Sequence, residues 1–351
     1  MKSITTIVEG GFTLKENVYI TNDSKKPVEI SENGSFKRQT NRFTTPFGNE
    51  PGDLPVEANR YRLLWSPACP WAHRSVIVRK VLGLEYVISL GTASPMRPIL
   101  PRVDWEFSLD ENGVDPVLGI RYMSEIYLKT DPEYVGRPTV PVIVDVLKNE
   151  AVNNDYFKLT NYFETAWEPF HKENAPDLYP EHLRTEIDAL NEVIFHDINN
   201  GVYKCGFAQS QEAYEEAYDR LFSRLDELEE RLSKQRFLFG DYITDSDVRL
   251  FATLVRFDAA YYNGFNTNRN LIREFTHLWG YVRDLYQTDG FGDTTDFIAI
   301  KKHYHTSITI SPEKNEVKIL PKGPDLTVWS SEHNRHRLSK QENKFLMSKG
   351  S

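Results

Sequence analysis

The chain has 351 residues, 40% of them hydrophobic, with a formal net charge of -9 and a pI of ≈ 5.6. It is long enough for a sizeable core and about two domains, while its acidic balance argues against general nucleic-acid binding. No run of about eighteen apolar residues and no apolar signal core occur, so we expect neither a membrane span nor export. Cys69 and Cys205 do not make a disulfide framework, which favours a reducing compartment, the cytoplasm.

The first half of the chain alternates between strand and helix patterns. Residues 1–59 are polar and turn-rich, and we expect an irregular arm there. Between residues 60 and 165 the predicted elements are, in chain order, a strand over Tyr61–Trp65, a helix over Pro70–Leu82, a strand over Tyr86–Leu90, a loop with Pro95, Pro98, Pro101 and Pro116, a buried strand over Thr139–Asp145 and a helix from about Asp155. This order is typical of a thioredoxin-like α/β domain.

The second half of the chain is helical in pattern, and residues 181–323 predict an all-α domain. Apolar residues recur at helical spacing through Glu212–Leu232, with charged residues between them, as in a long amphipathic helix. Thr244 and Asp247 have the spacing of a capping box that opens a helix over Val248–Asp258. Residues 324–351 form a polar tail, which we expect to be poorly ordered.

Cys69 is the main candidate for chemistry. It follows the turn after the first strand and precedes Pro70, so it lies at a predicted helix N-terminus, where backbone N–H groups stabilise a thiolate. His73 and Arg74, one turn later, are expected to add positive potential. The third residue after Cys69 is Ala72, so disulfide chemistry here requires a thiol from solution. The alternative is a small buried core cysteine.

The sequence predicts no metal or nucleotide site. It has no Gly-rich phosphate loop and no Cys/His cluster with metal-ligand spacing. His303 and His305 have a single residue between them and no cysteine nearby, so we do not expect a zinc site there. Cys205 lacks a helix-start context, and we interpret it as a packing residue rather than a redox group.

Seven segments between about residues 60 and 325 follow one another in a characteristic order: Cys69–Arg74, Arg137–Pro141, Val152–Asn154, Ile198–Phe207, Leu250–Asp258, Leu278–Tyr286 and Ile300–Tyr304. Together they resemble the cytosolic glutathione transferases and, more narrowly, the xi class, the glutathionyl-hydroquinone reductases. The resemblance implies a thioredoxin-like α/β N-terminal domain plus an all-α C-terminal domain. It also implies a homodimer that pairs through the helical domain.

The resemblance implies a thiol-dependent reductase with glutathione as co-substrate. In that reaction the Cys69 thiolate attacks the sulfur of a thioether that joins glutathione to a hydroquinone ring. The aromatic product leaves, and a second glutathione resolves the mixed disulfide on Cys69. Two further functions stay open: a broader one-cysteine thiol transferase acting on mixed disulfides or dehydroascorbate, and a non-enzymatic binding protein on the same fold.

The resemblance also assigns roles to other residues. Val140 and a cis Pro141 are expected to pair with the cysteinyl part of the thiol, and Trp105 is expected to cover it. Tyr203 and Tyr304 are expected to hydrogen-bond or protonate the leaving phenolic oxygen. The alternatives are a trans strand-entry proline and core aromatic side chains.

Tyr261 and Tyr262 follow the capped helix and could line an aromatic-substrate pocket, although surface or interface packing is an equal alternative.

One segment departs from the family pattern. After Asn-Asn the family has Glu-Ser-Ser at the helix start that holds the γ-glutamyl end of glutathione, whereas this chain has Asp155, Tyr156 and Phe157. The carboxylate is one methylene shorter, and two aromatic rings replace two small hydroxyl groups. We therefore expect weaker use of glutathione, or the use of another low-molecular-weight thiol.

Overall fold

The computed structural model describes residues 29–97, 103–306 and 319–347. Residues 1–28 of the predicted arm, Pro98 and Pro101 of the predicted loop, and residues 348–351 of the tail lie outside the described residues. The named strands are β1 (Tyr61–Trp65), β2 (Ile88–Thr92), β3 (Val142–Asp145) and β4 (Glu150–Asn153). The helices of the α/β part are α1 (Pro70–Val81), α2 (Met123–Thr130) and α3 (Leu159–Glu164).

The four strands form one mixed sheet in the order β2-β1-β3-β4. β1 runs parallel to β2, with Tyr61 opposite Ile88, and antiparallel to β3, with Tyr61 opposite Asp145. All five residues of β1 are buried, and Arg62 among them donates two hydrogen bonds, of 3.0 and 2.8 Å, to Asp115. The central strand is thus buried on both faces, as its apolar sequence predicts.

The α/β part keeps the predicted order but differs in several places. Strand β3 begins at Val142 rather than Thr139, and β4, which is missing from the predicted elements, follows it. The second strand begins at Ile88 rather than Tyr86, because Gly83 at φ +75 starts a 3-10 turn over Leu84–Tyr86. Helix α2 lies in the segment predicted as a loop. Helix α3 begins at Leu159 rather than Asp155, and in the turn before it the Asp155 carboxylate accepts hydrogen bonds from the backbone N–H groups of Phe157 and Lys158.

The C-terminal part is helical, and its helices are α4 (Arg184–Ile194), α5 (Gly201–Phe207), α6 (Gln211–Lys234), α7 (Asp245–Arg256), α8 (Tyr262–Gly264), α9 (Thr276–Tyr286) and α10 (Phe297–Thr306). The capping box is confirmed: the Asp247 carboxylate accepts from the backbone N–H of Thr244 at 2.8 Å. Helix α7 therefore begins at Asp245, three residues before the predicted start. Among the helices of the described ranges, none is both long and apolar enough to cross a membrane.

The tail differs from the expectation of poor order. Trp329 is 3% exposed, and its ring lies 5.0 Å from that of Trp279 on α9. Arg335 is also buried and donates to the carbonyl oxygens of Leu232, in the last turn of α6, and of Arg236, two residues after the helix ends, at 2.6 and 2.7 Å. Such contacts satisfy carbonyl groups that a helix end leaves without partners. Residues 324–347 therefore pack on the helical part, which their polar composition did not indicate.

Candidate active site

Cys69 lies at the N-cap of α1 in extended backbone, with φ -79 and ψ 118, and Pro70 is the first helical residue. The predicted helix start is thus confirmed. The Cys69 thiol donates a hydrogen bond of 3.4 Å to the carbonyl oxygen of Val140, and the Val140-Pro141 peptide bond is cis, as predicted. The side chain of Cys69 is 8% exposed. The strand-turn-helix unit and the loop before β3 therefore meet at the sulfur.

The pKa of Cys69 departs from the prediction of a stabilised thiolate. Burial raises the pKa of this thiol above its ordinary value and is the largest influence. The backbone N–H groups of Ala72 and Trp71 and the guanidinium groups of Arg256 and Arg38 lower it, but by less. The prediction of a low pKa is therefore wrong for this closed arrangement. The groups that favour a thiolate are in place, and the dry surroundings outweigh them.

The positive charge near Cys69 does not come from His73. Burial, and next the Arg256 charge, lower the pKa of His73 well below its usual range, so this imidazole is neutral. Its Nε2 lies 2.9 Å from the Thr294 hydroxyl. Arg74 donates to the Asn199 amide oxygen at 2.7 Å and lies 4.7 Å from the Trp71 ring centre. Burial lowers the pKa of Arg74 to about 9, so it stays charged at neutral pH.

Arg256 at the end of α7 is the cation that the sequence analysis missed. It is fully buried, and it donates to the carbonyl oxygens of Pro67 and Ala68 at 2.9 and 3.0 Å. A third hydrogen bond, of 2.8 Å, goes to the carbonyl oxygen of Ala252 in its own helix. The helical part thus holds the turn that carries Cys69. Its only sequence signal is membership of the segment Leu250–Asp258.

Three tyrosine hydroxyls form a chain beside the cysteine. The Tyr203 and Tyr304 hydroxyls lie 2.6 Å apart, and the Tyr261 hydroxyl lies 3.2 Å from that of Tyr304. Burial raises the pKa of all three phenols, and the charge of a Cys69 thiolate would raise that of Tyr203 further. The structure therefore brings together the two predicted tyrosines and adds Tyr261, while Tyr262 is only partly buried.

Residues 29–47, called the strap below, run from the α/β part of the molecule to the helical part. The strap supplies Arg38, one of the two arginines whose charge lowers the pKa of Cys69. On the α/β side the strap Phe43 backbone N–H donates to the Asn154 amide oxygen at 2.9 Å. On the helical side the Gln209 backbone N–H donates to the carbonyl oxygen of Gly34 at 2.9 Å. The predicted irregular arm is therefore docked along this stretch, although its sequence has no periodicity to indicate it.

Trp105 lies in a stack of three side chains. Its ring is 5.4 Å from that of His303 at an interplanar angle of 15°, and the Arg97 guanidinium lies 4.9 Å from its ring centre.

His303 and His305 each bond a backbone carbonyl. Nδ1 of His303 lies 2.7 Å from the Pro95 carbonyl oxygen, and Nε2 of His305 lies 2.8 Å from the Ala259 carbonyl oxygen. Across residues 29–97, 103–306 and 319–347, no group of three or more His, Cys, Asp or Glu side chains could hold a metal ion.

The comparisons with known proteins identify the family. Residues 68–166 match the Glutathione S-transferase N-terminal domain, and residues 211–284 match the C-terminal domain. The chain is 39% identical over 292 residues to glutathionyl-hydroquinone reductase YqjG of Escherichia coli, covering 80% of this chain and 88% of that protein. The chain belongs to the glutathione transferase family.

Solved structures narrow the family to the xi class. A glutathione transferase of Gordonia bronchialis is 52% identical, with a TM-score of 0.77 and coverage of 81% of this chain and 87% of its own. The xi glutathione transferase of Phanerochaete chrysosporium is 38% identical, with a TM-score of 0.78 and coverage of 85% and 95%. The glutathione-bound structure of YqjG has a TM-score of 0.75 at 37% identity, with coverage of 84% and 94%. This protein is therefore an enzyme of the xi-class glutathione transferase type.

The side chains of Tyr156 and Phe157 lie in two different surroundings. Tyr156 lies beside the cysteine helix, with its ring 4.9 Å from that of Trp71 and stacked on Phe195 at 6.2 Å. Phe157 points to the helical part, where its ring centre lies 4.8 Å from the Arg249 guanidinium. Tyr156 thus packs against Trp71 of the cysteine helix, whereas Phe157 packs between the two parts of the molecule.

The Asp155 carboxylate accepts hydrogen bonds from the strap and from its own turn. One oxygen, Oδ1, accepts from the Asn41 side chain of the strap at 3.3 Å and from the backbone N–H of Phe157 at 3.1 Å.

Cys205 on α5 is 3% exposed, and burial raises the pKa of its thiol to about 12. That environment supports its interpretation as a packing residue.

Proposed function

We propose that this xi-class transferase is a thiol-dependent reductase that cleaves glutathionyl-hydroquinone thioethers through a mixed disulfide on Cys69. The observation that carries the proposal is the position of the Cys69 sulfur. It lies at the start of α1 against the Val140 carbonyl oxygen, within the electrostatic reach of the Tyr203 phenol. The activity of the Escherichia coli relative named above supports the same reaction.

The first step breaks a carbon–sulfur bond. In the keto form of the hydroquinone, the sulfur-bearing ring carbon has taken the proton of a phenolic hydroxyl. The Cys69 thiolate attacks the thioether sulfur of this form, a sulfur–sulfur bond forms, and the electron pair of the broken carbon–sulfur bond passes through the ring to the carbonyl oxygen, which restores the aromatic ring and then takes a proton. Two sulfur atoms are oxidised to a disulfide, and the ring carbon is reduced by two electrons. Negative charge develops on the ring and its oxygen. A hydrogen-bond donor near that oxygen therefore lowers the barrier.

The second step uses a thiol from solution. A glutathione thiolate attacks the glutathione sulfur of the mixed disulfide, oxidised glutathione leaves, and Cys69 returns as a thiolate. Ala72 stands where a resolving cysteine would be, so the chain itself offers no second thiol at that position. The one-cysteine route accounts for both steps with one protein sulfur.

Tyr203 and Tyr304 are suited to donate hydrogen bonds to the phenolic oxygen of the substrate. Their raised pKa values keep both hydroxyls protonated at neutral pH, so each can donate a hydrogen bond. The hydroxyls also bond one another, which lets one donate to the substrate while it accepts from the other. We assign them as the donors to the leaving ring.

We further propose glutathione as the co-substrate and assign its site to five residues. The Val140 backbone and Pro141 would pair with its cysteinyl part beside Cys69, and Trp105 would cover it. Asp155 and Tyr156 would meet its γ-glutamyl end. The glutathione-bound structure of the Escherichia coli relative supports glutathione as the co-substrate, and the position of Tyr156 beside Trp71 of the cysteine helix agrees with its assignment.

A broader one-cysteine thiol transferase, acting on mixed disulfides or dehydroascorbate, is the second candidate. The position of Tyr156 favours it, because its ring occupies space where the family has a serine. The two candidates differ in the bond that breaks, since only the first requires cleavage of carbon–sulfur bonds.

Two further expectations from the sequence remain proposals. The free thiols of Cys69 and Cys205 support a reducing compartment such as the cytoplasm. We also propose pairing of two copies through the helical part, which equilibrium sedimentation of the full chain would test.

The experiment is a cleavage assay with a synthetic glutathionyl-hydroquinone and glutathione. We expect free hydroquinone and oxidised glutathione in equal amounts, and mass spectrometry should find glutathione on Cys69 when the second thiol is withheld. Cys69→Ser should abolish turnover, whereas Cys205→Ala should retain it. Reduction of mixed disulfides without any cleavage of the thioether would replace the first candidate by the second.

A further inference from the structure

Arg38 of the strap lies over two aromatic side chains of the active site, Trp71 and Tyr203, which together are called the aromatic wall. Its guanidinium carbon is 4.4 Å from the ring centre of Trp71 and 4.7 Å from that of Tyr203. Its Nε donates to the amide oxygen of Asn200 at 2.9 Å. The guanidinium is therefore fixed on one edge by an amide and on one face by two rings, which is a strong set of constraints for a side chain from an irregular segment.

This guanidinium has an unused donor nitrogen. Nη2 of Arg38 is buried and has no hydrogen-bond partner among the described residues. A buried charged N–H group without an acceptor costs free energy, so such groups in native proteins call for an explanation. The charge of Arg38 also favours the ionised forms of Cys69, Tyr203 and Tyr156. The unused donor thus lies in the field of the residues that would carry the reaction.

We propose that Nη2 of Arg38 donates a hydrogen bond to the ring oxygen of the quinol thioether and stabilises the negative charge that develops there as the carbon–sulfur bond breaks. This inference rests on the proposed function. Tyr203 supplies a neutral hydroxyl donor, and Arg38 supplies the positive charge. The strap is then part of the active site rather than a covering segment.

The chemistry of the first step explains why this charge is needed. The electron pair of the carbon–sulfur bond passes into the ring and onto its oxygen as the keto form returns to the aromatic hydroquinone. Tyr203 and Tyr304 have raised pKa values, so neither carries charge to meet that oxygen. A fixed guanidinium meets it without reorganisation, which is the arrangement that lowers a barrier most. A mixed disulfide places its developing charge on sulfur instead, and it has no ring oxygen.

This difference between substrates provides the test. Arg38→Met, which keeps the side-chain volume and removes the charge, is compared with the parent on a glutathionyl-hydroquinone and on a glutathione mixed disulfide. We expect kcat for the thioether to fall by about 100-fold, as for loss of one donor to a developing oxyanion, and kcat for the mixed disulfide to fall far less. Arg38→Lys, which keeps the charge on a different geometry, should recover part of the loss.

Arg42 provides the matched control, because it is an arginine of the same strap that is exposed and pairs with Asp131 at 2.7 Å. Arg42→Met should leave both reactions unchanged. Equal losses on both substrates for Arg38→Met would overturn the inference, because Arg38 would then act on Cys69 or on the fold. No loss on either would overturn it as well.

A parent protein that reduces the disulfide but never cleaves the thioether would instead refute the proposed function itself. If Arg38→Met does not fold, Arg38→Gln carries the same comparison, since it keeps an amide donor and lacks the charge.

Discussion

The guanidinium of Arg256 donates a hydrogen bond of 3.0 Å to the carbonyl oxygen of Ala68, the residue before Cys69, although 188 positions separate the two along the chain. A second hydrogen bond, of 2.9 Å, goes to Pro67. The cysteine turn is therefore not supported by the α/β part alone. Its shape depends on the docking of α7, so the reactive sulfur and the packing of the two parts of the molecule are coupled.

Arg256→Met should weaken both stability and activity. It leaves the two carbonyl oxygens of the turn without their buried donor and removes a charge that favours the Cys69 thiolate. We expect the free energy of unfolding to fall by about 3–6 kcal/mol, the cost of losing two hydrogen bonds to a charged group. Urea denaturation measures it.

Arg273→Met is the control, since this arginine lies on the surface of the helical part and has no contact with the turn. An unfolding free energy for Arg256→Met equal to that of the parent would contradict the coupling.

The pH dependence of Cys69 alkylation has a definite sign. Because burial raises the pKa of this thiol, the thiolate fraction in the ligand-free protein at neutral pH is lower than for a free cysteine. Iodoacetamide alkylation should therefore have a midpoint above about 8.5, the free-thiol value. Mass spectrometry of the modified peptides distinguishes Cys69 from Cys205. Alkylation of Cys205 should require a still higher pH, since its pKa is about 12. A midpoint below neutral pH would show that the N–H and guanidinium groups outweigh burial.

The local parts of this site could be predicted from the sequence. The strand Tyr61–Trp65 is a short apolar run and was predicted with its observed bounds. Pro70 indicated the helix start, which located Cys69 correctly. The cis peptide bond before Pro141 followed from the family resemblance. Each of these depends on neighbouring residues or on a motif, and such information is present in a single sequence.

The missing parts are long-range. Arg256 and Arg38 contact the cysteine turn and its aromatic wall from remote segments, and neither has a local pattern that marks it. The pKa of Cys69 was predicted in the wrong direction for the same reason: the helix start was visible in the sequence, whereas burial by the strap and the helical part was not. Helix α2 was missed because it has only eight residues and lies in a proline-rich stretch.

A buried carboxyl pair predicts how stability responds to pH. Burial, and next the charge of Asp245, raise the pKa of Glu164 well above its ordinary value. The Asn161 amide donates to Glu164 at 3.1 Å and to Asp245 at 3.4 Å, so all three side chains meet. The folded protein then binds a proton on Glu164 that the unfolded chain releases near its ordinary pKa. The stabilisation that this proton gives the folded protein is complete below about pH 4.3. It is lost as pH rises through the pKa of Glu164 in the folded protein.

Glu164→Gln should remove this loss, because glutamine has the shape of the protonated acid and does not ionise. We expect the variant to be more stable than the parent at pH 8 and to approach it at pH 5, because the parent loses the stabilising proton over that range. Thermal or urea unfolding at both pH values measures the difference. Glu168→Gln, in the exposed turn nearby, should show no such dependence. A constant difference across pH would mean that Glu164 does not titrate as argued.

The thiol preference depends on Asp155 and Tyr156. The γ-glutamyl end of glutathione offers an ammonium and a carboxylate, which an anionic side chain and small donors recognise best. Here Asp155 already accepts hydrogen bonds from the strap and from its own turn, and the Tyr156 ring lies 4.9 Å from that of Trp71. We expect the Michaelis constant for glutathione to be higher than in a Glu-Ser relative, with little change in kcat, because the lost contacts are made in the ground state.

The double variant Asp155→Glu with Tyr156→Ser should lower that constant by the equivalent of about 1–3 kcal/mol, the size of one or two hydrogen bonds to charged groups. Phe157 is best left unchanged, because its ring packs against the Arg249 guanidinium at 4.8 Å. Phe157→Ser alone should therefore reduce stability without improving glutathione use. The measurement is the glutathione dependence of turnover with one quinol thioether. Equal Michaelis constants for parent and double variant would show that the aromatic side chain does not obstruct the γ-glutamyl end.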